Sequence, residues 1–431
     1  MSIQKFLYQN LFWRSVFYLS AFVLNILIAR HFEAEISGKF YYLVNLFAFV
    51  TLVASLSIES GMVYFASSNK ISAKALFNFS LVWTLLIAAL ILVLLYFKRF
   101  LPVTTIEGSS ILYLLLFVCG NLLITFLNSL FYAANKFRLP NVSAILINFF
   151  LIIIIFFVDR YQWLTNEKYM LIYFESFFLQ GVILVIIFRI NLENTQTSRF
   201  PSTSQISSLF KYCFVAFASN VVTFLYYRVD YWFVSRYASA DDLGNYIQVS
   251  KIAQMFFILP AILAAVIFPL TAGGRRLEVK EALLVISRGV IFFYGLACFV
   301  IIIAGRWGFP FVFGGSFGKM YTPFLLLIPG ILALGSLYTF TAYYAGKDKV
   351  IINLKGALLT LLVIASGDAI FIRSYGINAA AAVSSIGYLV YHIYVVSIFR
   401  KEYNVSLPDF YLLKLSDLSR MKASFFKSNN L

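Results

Sequence analysis

Charge is scarce in this chain. Asp, Glu, Lys and Arg make up 12% of its 431 residues, about half the share of a soluble domain. The three cysteines, Cys119, Cys213 and Cys298, each lie in or beside an apolar run, which excludes a disulfide framework and a cysteine metal spacing. The two histidines, His31 and His392, are too few and too far apart in sequence for a zinc site. Long polar loops are missing too, so no segment between the apolar runs can fold as a domain of its own. Gly314, Gly315 and Gly318 share one loop, but no Lys-Ser/Thr and helix start follow, which excludes a phosphate cradle. No cofactor and no metal are expected.

Apolar residues dominate instead: 61% of the chain is hydrophobic, with 48 Phe and 28 Tyr, and mean hydropathy is +0.87. A protein core of this length cannot hide that much apolar surface, so lipid is the remaining solvent. The enrichment in Phe and Tyr is read chiefly as a lipid-facing surface. The formal charge of +16 does not point to nucleic acid, because the basic residues are scattered in short loops between long apolar runs. Lys5 and Arg14 precede an apolar stretch with no small-residue cleavage site, which predicts an uncleaved first helix.

About twelve membrane-spanning helices are predicted, near 11–29, 41–66, 78–97, 110–133, 142–158, 169–188, 212–235, 245–271, 289–304, 324–345, 352–371 and 378–399. An even number puts both termini on one side. Loops on that side hold Lys70, Lys74, Lys136, Arg138, Arg189, Arg199, Arg275 and Lys347, among others, and the tail adds Arg400, Arg420, Lys422 and Lys427. The opposite loops carry about half as many cations, and also Glu33, Glu35, Glu107, Asp241 and Asp242. That bias predicts both termini in the cytoplasm. The expected organisation is an N-terminal six-helix bundle over 1–195, a cytoplasmic linker over 196–210, a C-terminal six-helix bundle over 211–400 and a basic tail over 401–431.

The two halves carry a repeat. Arg30 is followed by Gly38 and Arg236 by Gly244, each eight residues on and with two acids between. Further along, Tyr132-Ala133-Ala134-Asn135-Lys136 matches Tyr344-Ala345-Gly346-Lys347-Asp348 at the end of the fourth helix of each half. Halves of six helices have the same orientation, so the fold class is all-α: two parallel-repeat bundles around a central cavity.

At these residues the chain resembles the polysaccharide flippases of the multidrug/oligosaccharidyl-lipid/polysaccharide exporter superfamily. The likeness runs through Leu27 to Tyr41, Ser57-Ile58-Glu59-Ser60-Gly61, Tyr227-Arg228-Val229-Asp230, Gly244-Asn245-Tyr246 and Leu259-Pro260-Ala261-Ile262. It continues in Phe268-Pro269-Leu270, Phe313 to Phe317 and Tyr375 to Ala380. It covers nearly the whole chain, rests on diffuse apolar patterns, and fits the O-antigen type best. The resemblance implies movement of an undecaprenyl-diphosphate-linked oligosaccharide from the cytoplasmic to the periplasmic leaflet of a bacterial inner membrane. It implies no catalysis, and names as partners the lipid-linked oligosaccharide, membrane lipids, and the polysaccharide polymerase and chain-length proteins.

Charges inside the membrane each cost about 2.5–3.5 kcal/mol, so Arg14, Glu59, Glu175, Arg228, Asp230 and Lys251 are the candidate site. Depth predicts two pairs, Arg14 with Glu59 and Asp230 with Lys251. Asn220, Thr223, Tyr227 and Tyr231 share one face of helix seven, with Arg228 and Asp230 at its edges, a stripe suited to a wet cavity. Asp368 is expected to pair with Arg373 or water. The rival functions are a drug/cation antiporter of the same superfamily, for which Asp230 is the coupling acid, and a polysaccharide polymerase or ligase. The short external loops disfavour the latter.

Overall fold

The computed structural model describes residues 3–98, 108–161, 164–191, 198–273, 276–414 and 417. The first residues of the expected linker (196 and 197), the loop cation Arg275, Glu107, and the tail residues Arg420, Lys422 and Lys427 lie outside them. The described chain is helical throughout: α1 (Ile3–Ser55), α2 (Ile58–Ser67), α3 (Ala73–Lys98), α4 (Gly108–Ala133), α5 (Arg138–Tyr161), α6 (Asn166–Ile190) and α7 (Thr203–Tyr237). Then come α8 (Ala240–Met255), α9 (Ile258–Ala272), α10 (Arg276–Phe313), a 3-10 turn (Gly315–Met320), α11 (Tyr321–Gly346), α12 (Val350–Tyr403) and α13 (Pro408–Tyr411).

Ten stretches among the described residues are long and apolar enough to cross a bilayer. Two of them are too long for one crossing. At 1.5 Å per residue, α1 and α12 would each reach about 80 Å, against a hydrocarbon core of about 30 Å. Each breaks instead, α1 at Glu33 (φ 56°, ψ −177°) and α12 at Gly376 (φ 57°, ψ −143°). Counting each as two crossings gives the expected twelve. Glycine adopts the Gly376 geometry freely, whereas at Glu33 it is strained by about 1–3 kcal/mol.

The second crossing of each half is itself broken, which the single spans at 41–66 and 245–271 did not anticipate. In the first half Leu56 and Ser57 turn left-handed between α1 and α2; in the second, α8 stops at Met255 and α9 starts at Ile258. Breaks leave carbonyls without helical partners, and in a membrane these must be satisfied by protein. An aromatic donor does so both times: Trp83 Nε1 donates to Ala54 O at 2.9 Å, and the Tyr294 hydroxyl to Phe256 O at 2.5 Å.

The fourth-helix repeat is also real in shape, but one residue out of the expected register. Asn135 and Asp348 are the left-handed residues (φ 58° and 60°). Lys136 N then closes on Phe131 O at 2.8 Å and Lys349 N on Tyr344 O at 2.9 Å. Both are Schellman endings, so Asn135 matches Asp348 rather than Lys347. Helix α7 begins at Thr203, inside the stretch read as linker. Ser202 and Gln205 explain why: Gln205 N donates to Ser202 Oγ and Ser202 N to Gln205 Oε1, a reciprocal capping box.

The chain divides into two compact units within α7. One holds Phe40–Val221 and the chain up to Glu33; the other holds Ala34–Lys39 and the chain from Val222 onward. The first unit is built on α4, whose Leu122, Phe126, Leu127 and Leu130 pack with Ile58 and Met62 of α2 and Leu184 and Phe188 of α6. The second is built on α11, whose Leu334, Leu337, Phe340 and Tyr343 pack with Ile364, Val395 and Phe399 of α12.

The start of the basic tail folds into the second unit. Phe410 is fully buried against Phe340 and Phe399, and Ser287 Oγ donates to its carbonyl at 3.0 Å. Beside it Arg288 forks onto Asp417, Nε to Oδ2 and Nη2 to Oδ1, both at 2.7 Å, while Nη1 reaches Asp409 O at 2.6 Å. Acids, not the tail's surplus cations, make this attachment.

Candidate functional site

Helix α7 places its charged stripe at the start of the second unit. Asp230 is buried at 1% exposure, and three donors hold its carboxylate: Tyr246 Oη at 2.6 Å, Tyr231 N at 2.8 Å and Ser384 Oγ at 3.4 Å. The expected Asp230–Lys251 salt bridge is not among the described ion pairs. The short loop brings the Tyr246 hydroxyl to Asp230, and Lys251 lies in the electrostatic field of Arg228 instead. Arg228 is half-buried. Its Nη1 donates to Tyr231 Oη at 2.6 Å and its Nη2 to Gln254 Oε1 at 2.8 Å. Gln254 is in turn held to Ser250. Arg228 acts electrostatically on Asp230 of its own helix and on Lys251 of the next, and the groups that hydrogen-bond the guanidinium are neutral.

Asp368, expected near the surface with Arg373, is fully buried on α12, and neither of its carboxylate oxygens has a hydrogen-bond partner. It senses the charge of Asp230, and Tyr246 senses both acids. Asp230, Tyr246, Ser250, Gln254, Ser384 and Tyr388 line a cavity of about 10 Å³, room for roughly one water or one bare monovalent cation. The Asp230 carboxylate with the hydroxyl and amide oxygens around it is a hard-oxygen donor set, suited to a proton or an alkali cation rather than a transition metal, and Asp368, which senses Asp230, is not among the lining residues. Among the described residues no cluster of three His, Cys, Asp or Glu exists.

The rest of the stripe is divided. Tyr227 belongs to the second unit, its hydroxyl 2.9 Å from that of Tyr338, within a cluster that includes Phe257 and Tyr388. Asn220 belongs to the first, where its Nδ2 donates to Ser57 Oγ at 3.0 Å, at the break before α2. Glu59 sits in the first turn of α2 beside that break, with one carboxylate oxygen buried and unpartnered. Arg14 does not pair with it: the guanidinium lies over the Tyr132 ring at 5.7 Å, and no described ion pair joins the two. Glu175 is exposed on α6.

A second feature involves the glycines that mark the repeat. Residues 34–39, from the first half of the chain, pack into the second unit with Gly38 against Gly244. A Cβ on Gly244 would stand 1.9 Å from Ala34 O, and one on Gly38 2.6 Å from Gly244 N. Hydrogen bonds flank the crossing: Ala34 N to Ser316 Oγ at 3.1 Å, Asn245 Nδ2 to Ser316 O at 3.1 Å, and Gln248 Nε2 to Ser37 Oγ at 3.4 Å.

A family model described as "Polysaccharide biosynthesis protein" matches residues 7–273, more than half of the chain. The chain belongs to that family. No curated protein matches it in sequence. Among solved structures it is similar to the lipid II flippase MurJ in an inward closed conformation, at 16% identity, 97% of this chain, 93% of that one and a TM-score of 0.74. It is also similar to the Vibrio cholerae MATE transporter VcmN in its bent form (12%, 94% and 98%, TM-score 0.63). A third likeness is to a MOP superfamily transporter from Pyrococcus furiosus (12%, 93% and 95%, TM-score 0.61). At these identities the likeness is one of fold: this family member has the two-bundle fold of MOP transporters.

Proposed function

We propose that this family member is a flippase for undecaprenyl-diphosphate-linked oligosaccharide, of the O-antigen or capsule type. It works by alternating access in the inner membrane, with both termini cytoplasmic. The observation that carries the reading is the part-buried Arg228 guanidinium on α7, aimed by two neutral groups, Tyr231 and Gln254. A guanidinium inside the membrane asks for an anion, and a diphosphate offers two charges and forked acceptors for it. The nearby acid, Asp230, is held by its own donors Tyr246, Tyr231 N and Ser384. Movement of a doubly negative headgroup out of a cell that is negative inside is favoured by about 4–5 kcal/mol per 100 mV.

The buried Asp230–Asp368 pair favours coupling to a proton or alkali cation, and is also what a drug/cation antiporter would need. One experiment separates the two. Arg228→Gln and Lys251→Gln are tested for surface polysaccharide in a host lacking its own flippase, with membrane expression checked. Each is expected to lower polysaccharide at least tenfold and to leave lipid-linked repeat units in the inner leaflet. Full polysaccharide in both variants, or cationic-drug resistance conferred by the wild type and lost with Asp230→Asn alone, would favour the antiporter.

A further inference from the structure

In the first unit, far along the chain from the charged stripe, α5 and α6 line an apolar groove of about 350 Å³. Leu139, Val142 and Leu146 line it from α5, Ile183 and Ile187 from α6, and Arg138 stands at one end. The α5 positions follow a three-and-four spacing, so they form one strip of the helix about 10 Å long. Leu146 is 64% exposed, so the groove is open along its side.

The cation at the end of the groove is in an unusual electrostatic position. Arg138 is the first residue of α5, where the partial positive charge of the helix start disfavours a guanidinium, and the first turn of α5 contains no acid. The guanidinium lies over the face of Trp13, at 5.4 Å from the ring centroid, a contact that holds it without neutralising it. Arg189 is in the last turn of α6 but does not line the groove, which leaves Arg138 as its one lining cation.

We infer that this groove binds one anionic phospholipid, its phosphodiester on Arg138 and an acyl chain along the α5–α6 strip. The charge count selects this occupant. A single guanidinium lines the groove, which matches the one charge of a phosphodiester; beyond it the lining is aliphatic except for Ser143, whose hydroxyl is spent on Pro140 O of its own helix, and this matches an unbranched chain. Basic pockets between membrane helices recognise anionic head groups by this combination. The site is independent of the flippase reading, because it uses no residue of the charged stripe.

The test is native mass spectrometry of the full chain in mild detergent. It is supplied in separate arms with dioleoyl-phosphatidylglycerol, dioleoyl-phosphatidylcholine or undecaprenyl phosphate. Phosphatidylglycerol is expected to be retained at least fivefold over phosphatidylcholine. Arg138→Gln should remove that preference, Arg138→Lys should keep part of it, and Val142→Trp, which fills the groove, should reduce retention of every chain. Arg138 is exposed, so its substitutions leave the fold intact, and circular dichroism checks that they do. Equal retention of the two phospholipids, or a preference unchanged in Arg138→Gln, overturns the proposal. Displacement of phosphatidylglycerol by equimolar undecaprenyl phosphate also overturns it, and assigns the groove to a polyprenyl chain.

Discussion

Gly244→Ala opposes two effects of different size. Gly244 lies inside α8, where alanine is a better helix former by about 0.8–1 kcal/mol. On propensity alone the substitution would stabilise. The new Cβ, however, would stand 1.9 Å from Ala34 O and 2.7 Å from Ala34 C. A relaxed carbon–oxygen contact is about 3.3–3.6 Å, so the 34–39 segment must retreat by more than an ångström. Its obstacle is backbone, which cannot swing aside as a side chain can. Overpacking costs about 1–3 kcal/mol, and the retreat also strains the bonds to Ser316 and Ser37, worth about 0.5–1.5 kcal/mol each. The net cost is about 2–4 kcal/mol, or a shift of roughly 30- to 1,000-fold away from the docked segment. The control is Gly295→Ala in α10, where a Cβ meets nothing within 4 Å, so only the propensity gain remains. Docking is read by amide exchange of Ala34, whose N–H donates to Ser316 Oγ, and by thermal unfolding in detergent. Gly244→Ala should speed that exchange and lower the unfolding temperature; Gly295→Ala should leave the exchange unchanged and raise the unfolding temperature slightly. Wild-type exchange of Ala34 in Gly244→Ala would refute the reasoning.

Two further outcomes follow from the second unit. Its hydrogen bonds from Arg288 hold the Asp417 carboxyl below the usual carboxylate range, and those from Lys414 and Ser406 bring Asp409 down to about 2. A depressed pKa contributes stability that is complete above the unfolded value, about 3.9, and is lost as pH falls through the folded one. Amide exchange of residues 403–414 should therefore stay protected from pH 8 to about 5 and open below about pH 4. Arg288→Gln, which removes the forked hydrogen bonds to Asp417 and the one to Asp409 O, should open the segment at every pH; protection equal to wild type at pH 7 would show that Phe410 alone holds the tail. If the Asp230–Asp368 pair binds an alkali cation, replacing choline by sodium at about a hundred times its Kd should stabilise the protein by about 2.7 kcal/mol. That gain should vanish in Asp368→Asn, and a gain of the same size in the variant would remove Asp368 from the site.

The charged stripe was legible because a charge in an apolar run is conspicuous at the level of sequence. Arg228, Asp230 and Lys251 needed no structure to be noticed. Their partners were not legible. Depth along a helix is one coordinate, and it made Asp230 and Lys251 neighbours, while the rotation of α7 and α8 decides that Tyr246 takes that place. Asp368 shows the same limit: counted from the end of its helix it is near the surface, yet the packing of α12 buries it completely. Neutral hydroxyls such as Ser384 and Tyr246 carry no signal of their own in a chain with 28 tyrosines. The reading of the tyrosines as chiefly lipid-facing does not extend to Tyr246, Tyr343 and Tyr344, all fully buried. The capping box of Ser202 and Gln205 was in plain view and would have moved the start of α7 to Thr203.

The repeat explains why the candidate chemistry collects in one unit. Aligned on Arg30 and Arg236, the two halves are offset by about the same distance that separates Gly38 from Gly244, which puts Leu24 opposite Asp230 and Phe22 opposite Arg228. Leu24 is buried at 5% exposure, so the first half spends on apolar packing the position where the second places an acid. Shared features are those of backbone: the broken second crossing with its aromatic clamp, and the Schellman ending of the fourth helix. These answer a constraint that both halves face, the satisfaction of carbonyls within a bilayer. Charge answers a different demand and was free to diverge. A buried carboxylate needs donors from several helices at once, and α7, α8 and α12 supply them in the second unit through Tyr231 N, Tyr246 and Ser384. An acid introduced at Leu24 alone would have no such shell. Leu24→Asp is therefore expected to destabilise the first unit rather than create a second cation site, and thermal unfolding with and without sodium tells these apart. A sodium-dependent gain in Leu24→Asp that persists when Asp368→Asn is added would show that the first half retains a latent site.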